Sequence, residues 1–139
     1  MLYTESPKMH DFAFPVTAWS TVLLGGLYLW LTILVIMVRR TDGIVLGDNN
    51  DRIMAKKIRG QANAAEQIPL GLILIALNEA LNPAPTPLVI AAFLVIGRYL
   101  HAVYFAKDGT HFRFRLYGML FTLIAQILGL IGVVVGLLF

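Results

Sequence analysis

Apolar and polar residues fall along this chain in long blocks. Phe12–Val38 and Leu116–Phe139 contain no charged residue, and each exceeds the roughly 20 apolar residues that cross a bilayer as a helix. Two further apolar blocks, 55–81 and 88–106, are separated by Asn82-Pro83-Ala84-Pro85-Thr86-Pro87. Proline at that density forces an extended turn, because each ring removes a backbone donor and restricts the residue before it. The pattern predicts four helical spans, at residues 14–38, 55–81, 88–106 and 116–139. Arg39-Arg40 ends the first. Thr41 to Arg52, rich in Gly, Asp and Asn, reads as a solvated loop. Residues 1–11 read as a short, mobile polar tail. Thr110–Arg115 reads either as a basic loop or as the pre-membrane start of span four. Pro69 inside span two predicts a kink near Ala65–Glu66.

Composition turns the pattern into a class. Of 139 residues, 58% are apolar and 14% charged, against about 25% charged in soluble domains. The expectation is an all-α integral membrane protein, one four-helix bundle over residues 1–139. The first apolar run is too long for a signal-peptide core and its flank (Glu5, Lys8, Asp11) is mixed, so it reads as a retained span. Of 11 lysines and arginines, ten lie in Arg39–Arg59 or Arg98–Arg115. The positive-inside rule then puts the first and third connections in the cytoplasm, with both termini and the proline turn outside. The charges do not suggest nucleic-acid binding. The acidic spacing at Asp48–Asp51 lacks the glycine and the bidentate glutamate of a calcium loop, and no metal is expected. Without cysteine, any thiol chemistry needs a thiol brought by a substrate.

The candidate chemistry lies in span two. At about 100° per residue, Asn63 stands about 40° from Arg59 and Glu66 about 20° from it on the other side, so the three form one column. Lipid does not accept such a column; it must face other helices or a wet cavity. The topology brings Arg98 and His101 of span three, and Arg113 and Arg115 before span four, to the same end. Arg98, His101 and Phe105 share a helix face. A basic pocket with one glutamate suits a small anion bearing carboxylates and an amine: arginines clamp the carboxylates and Glu66 takes the ammonium. Structural alternatives stand beside this reading. Arg59 and Glu66 can form an ion pair that only fixes packing, Asn63 can be interhelical glue, and Arg98 can snorkel to the interface. Arg39, Arg40, Arg52, Lys56 and Lys57 read as topology signals and headgroup contacts. Gly132-Val-Val-Val-Gly136 fits a small-residue packing motif.

The run Arg59-x-x-x-Asn63-x-x-Glu66-x-x-Pro69, near the start of the second of four spans, resembles the signature of the MAPEG family, the membrane-associated proteins of eicosanoid and glutathione metabolism. The length, the basic first loop and the arginine-bearing third connection match as well. The resemblance implies a four-helix bundle assembled as a homotrimer, with glutathione as co-substrate between subunits. It implies that Arg59, Asn63 and Glu66 bind glutathione, with Arg98, His101 and Arg52 among the candidate binding residues. The family arginine that stabilises the glutathione thiolate falls on Arg115, or on Arg113 two positions earlier. Gln67 stands where eukaryotic enzymes often carry tyrosine. His101 occupies a helix-three position more like that of bacterial members, which together with the retained first span points to a bacterial inner membrane.

The resulting expectation is a glutathione-dependent transferase acting on hydrophobic electrophiles from the bilayer, with peroxidase activity toward lipid hydroperoxides as an extension. A non-enzymatic lipid- or partner-binding protein of the same fold is the main alternative. A small multidrug exporter is a further one, disfavoured because span one has no coupling carboxylate.

Overall fold

A computed structural model describes residues 13–82 and 84–139; the N-terminal tail read as mobile lies outside the described residues. Four helices, α1 (Pro15–Asp42), α2 (Arg52–Leu81), α3 (Thr86–Ala106) and α4 (Arg113–Leu138), account for nearly all of it. Each is long and apolar enough to cross a membrane, and the chain is an integral membrane protein.

The helices extend beyond the expected spans, for a physical reason. A charged residue ends the apolar stretch, but it does not end the helix. α1 continues through Arg39-Arg40 to Asp42 and stops where Gly43 takes a left-handed conformation, its N–H closing on the Arg39 carbonyl. The two arginines sit in the last turn, where the helix dipole favours cations. α2 begins at Arg52 because the Asp51 carboxylate accepts from the Met54 N–H at 2.7 Å. With 30 residues it is about 45 Å long, more than the roughly 30 Å hydrocarbon layer requires. It runs through Pro69 as one helix. Thr110–Arg115 is resolved in favour of the second reading for its last residues, since α4 opens at Arg113.

The core is a set of aliphatic side chains from the facing stripes, including Leu24, Leu27 and Leu31 of α1, Ile68 and Ile75 of α2, Ile90 and Leu94 of α3 and Ala125 of α4. The opposite faces expose Trp19, Leu29, Ile33, Ile73, Leu123 and Ile127, as a lipid-facing surface does.

Two close approaches set the geometry of the basic end. A Cβ on Gly97 would lie 2.8 Å from the Thr122 nitrogen and 2.9 Å from the Gly118 carbonyl, and one on Gly118 would run into the backbone of His101. Glycine at both positions lets α3 and α4 touch backbone to backbone, bringing the head of α4 beside His101. A Cβ on Gly60 would collide with the Phe105 side chain, so glycine there lets the ring close onto α2. The buried Lys57 ammonium completes the junction, donating to the terminal carbonyls of α3 at Phe105 (3.2 Å) and Ala106 (2.7 Å).

Candidate functional site

These contacts leave a cavity of about 460 Å³ between α2, α3 and the start of α4, within the usual size range of ligand pockets, about 300–1,000 Å³. Its walls are Arg59, Ala62, Asn63, Glu66, His101, Phe105 and Arg115. The helical column of α2 thus faces a cavity, as the angular argument requires. A second cleft of about 640 Å³ adjoins it toward the end of the bundle, sharing Arg59, Phe105 and Arg115 and adding Arg52, Lys56, Tyr104 and Asp108. A third, of about 380 Å³, shares Asn63, His101 and Arg115 and is otherwise apolar, lined by Phe112 just before α4 and by Leu116 and Met119 within it.

The expected residues separate by position. Arg59, Asn63, Glu66, His101 and Arg115 meet around one space. Arg52 lies in the neighbouring cleft. Arg98 stands behind the wall: it is fully buried rather than snorkelling, donates from Nη1 to Asn63 Oδ1 at 3.0 Å, and lies 3.3 Å through Nη2 from His101 Nδ1. Arg113, two residues from Arg115, is exposed at the first position of α4 and lines none of the three cavities. Its backbone N–H donates to His111 Nδ1 at 3.2 Å.

The packing alternative for the α2 column fails in part. Among the described residues, Arg59 and Glu66 form no ion pair with each other or with any other group. Both are exposed to the cavity side of the bundle. Asn63 does bridge α2 and α3, through Arg98. Two cations and one carboxylate without an ion-pair partner among the described residues border the cavity, with a buried guanidinium behind them; guanidinium groups can pair bidentately with carboxylates, and a carboxylate can pair with an ammonium.

Phe105 was legible on the face of Arg98 and His101, but its place in the site emerges only here. Its ring lies 4.9 Å from that of His101 and 5.9 Å from the Arg115 guanidinium carbon, a cation–π distance that orients Arg115 without consuming its N–H donors. Gln67 faces away from the cavity wall and accepts from Gln126 of α4 at 2.9 Å.

Among curated proteins, none matches the chain. The family model that matches it is that of the MAPEG family, over residues 17–135. That match reaches from the first turn of α1 to the last turn of α4 and takes in every residue of the cavity, and the chain belongs to the MAPEG family, whose members are mostly glutathione-dependent membrane enzymes.

Proposed function

We propose that this protein is a glutathione-dependent transferase that joins the thiol to hydrophobic electrophiles drawn from the bilayer, and that Arg115 stabilises the thiolate. One observation carries the reading: Asn63, His101 and Arg115 line both the charged cavity and the apolar one beside it. A water-soluble thiol and a membrane-soluble electrophile therefore have a common wall at which to meet.

In this reading Arg59 clamps a carboxylate of glutathione and Glu66 takes its ammonium, with Asn63 and His101 completing the wall; Arg98 supports that wall, and Arg52 attracts the anion at the outer cleft. A free thiol has a pKa near 8.5 and is a few per cent ionised at neutral pH, while the thiolate is the nucleophile. A guanidinium at hydrogen-bond distance in a partly desolvated site lowers that pKa by about one to three units. Arginine does so while remaining protonated itself. The thiol proton leaves to water, the sulfur lone pair forms the bond to carbon, and the leaving group departs with its electron pair. With a lipid hydroperoxide, two thiols reduce the peroxide to alcohol and water and become a disulfide.

The same reading makes residues 1–139 one membrane unit, assembled as a homotrimer in a bacterial inner membrane, with the basic end cytoplasmic and both termini outside. Native mass spectrometry from detergent tests the trimer.

The decisive experiment is an ultraviolet difference spectrum of the purified protein with glutathione, comparing wild type with Arg115→Ala and Arg113→Ala. The thiolate band is expected in wild type and Arg113→Ala and lost in Arg115→Ala. Calorimetric binding without a band in wild type would favour the non-enzymatic reading, and neither binding nor band would leave the chain with the fold and without this function.

A further inference from the structure

Arg98 is costly where it stands. Its side chain is fully buried in the bundle; among the described residues, no ion pair includes it and its Nε has no hydrogen-bond partner. A buried charge without a counter-charge is a poor way to hold helices together; an apolar residue of similar volume packs α3 as well or better. Its retained contacts are Asn63 Oδ1 and His101 Nδ1.

Both contacts have a fixed sense, because a guanidinium offers five N–H donors and no acceptor. Asn63 turns its carbonyl oxygen to Arg98, which frees its amide NH₂. His101 offers the lone pair of Nδ1, so the ring proton resides on Nε2. Neither orientation is set by the cavity itself, since an amide and an imidazole present a donor or an acceptor equally well.

We propose that Arg98 is a positioning residue: from behind the wall, it holds Asn63 and His101 with their N–H donors toward the cavity. Apart from Glu66, its single charged acceptor, the wall between Arg59 and Arg115 then presents polar groups that only donate, and the site rejects groups that need a second acceptor there. Lysine does not substitute, because one ammonium on a flexible stem does not span two acceptors in a fixed plane. The proposal rests on the anion-binding reading of the cavity, but the orientations it names belong to the ligand-free protein.

That independence chooses the test. The chain has three histidines, so side-chain ¹⁵N spectra of histidine-labelled protein in micelles resolve the His101 ring, assigned by loss of its signals in His101→Gln. The expected result is the Nε2–H tautomer in wild type and a redistribution of the proton between the two nitrogens in Arg98→Met. An Nδ1–H tautomer in wild type overturns the proposal, and this measurement needs no variant at position 98 to fold. An unchanged tautomer in folded Arg98→Met overturns it too.

Glutathione titration supplies the second readout. Asn63→Ala and Arg98→Met each weaken binding about tenfold, and the double variant also about tenfold, because the two side chains act as one unit. A hundredfold loss in the double variant means Arg98 acts independently of Asn63 and refutes the mechanism. Wild type that binds no glutathione yet shows the Nε2–H tautomer sinks the glutathione reading and sustains the positioning role.

Discussion

The two ends of α2 carry similar polar sets and use them in opposite ways. Toward its C-terminus stand Asn78, Glu79 and Asn82; toward its N-terminus stand Arg59, Asn63 and Glu66. At the first end the backbone of the neighbours takes up the side chains. Glu79 accepts from the N–H groups of Val16 and Thr17 at 2.7 and 2.8 Å and from the Thr17 hydroxyl at 2.7 Å, capping the start of α1 from another helix. Asn78 donates to the Leu74 and Gly129 carbonyls, and Asn82 donates to the Gly132 carbonyl and to Asn78 Oδ1. Gly132 has no side chain because a Cβ there would collide with Asn78 Oδ1. At the other end Arg59 and Glu66 have no protein partner among the described residues and border a cavity. A polar group in a bilayer must be satisfied by protein, water or ligand. Composition does not separate scaffold from site in this helix; whether the polar atoms are already occupied does.

Substitutions at the two ends are expected to separate activity from stability. The largest effect belongs to Arg115→Ala, which is expected to lower turnover with glutathione and an apolar electrophile by about 100-fold or more, against less than about twofold for Arg113→Ala. Equal losses in steady-state assays would remove the distinction between lining the cavity and standing outside it. Next is Glu79→Ala, which strips two backbone N–H groups and a hydroxyl of their acceptor and is expected to cost about 2–3 kcal/mol in micellar unfolding. If Glu79→Ala unfolds like wild type, the closed end is not scaffold. Glu66→Gln is expected to raise the glutathione Kd by about tenfold by calorimetry. The smallest effects are the crossed ones: Glu66→Gln should shift unfolding by less than about 0.5 kcal/mol, and Glu79→Gln should leave the glutathione Kd within about twofold. A large shift in either would show that the two ends are coupled.

Much of this arrangement was legible in the residues. The charge-free runs and the proline turn mark four helices, and the spacing of Arg59, Asn63 and Glu66 puts them on one face. The helices run past the apolar spans, through Arg39-Arg40 and from Arg113 rather than Leu116, because polarity reports where a membrane ends and capping reports where a helix ends. The small-residue pair Gly132 and Gly136 carried no partner in the sequence; it packs within the chain, against Asn78 and the Leu81–Asn82 corner. Nothing in the residues around Glu79 marks it as a cap, since the N–H groups it accepts from lie more than 60 residues away.

Local order along the chain thus determines which residues are apolar, which are gathered at each end of the bundle and which share a helical face, because those follow from composition and a fixed rise and turn per residue. It does not determine which of two arginines two positions apart faces the cavity, that Arg98 sits behind the wall, or that Glu66 has no ion-pair partner among the described residues. Those depend on how closely the helices approach. Gly97 meeting Gly118 and Gly60 meeting Phe105 set that distance, and with it Arg115 lines the cavity while Arg113 remains outside it.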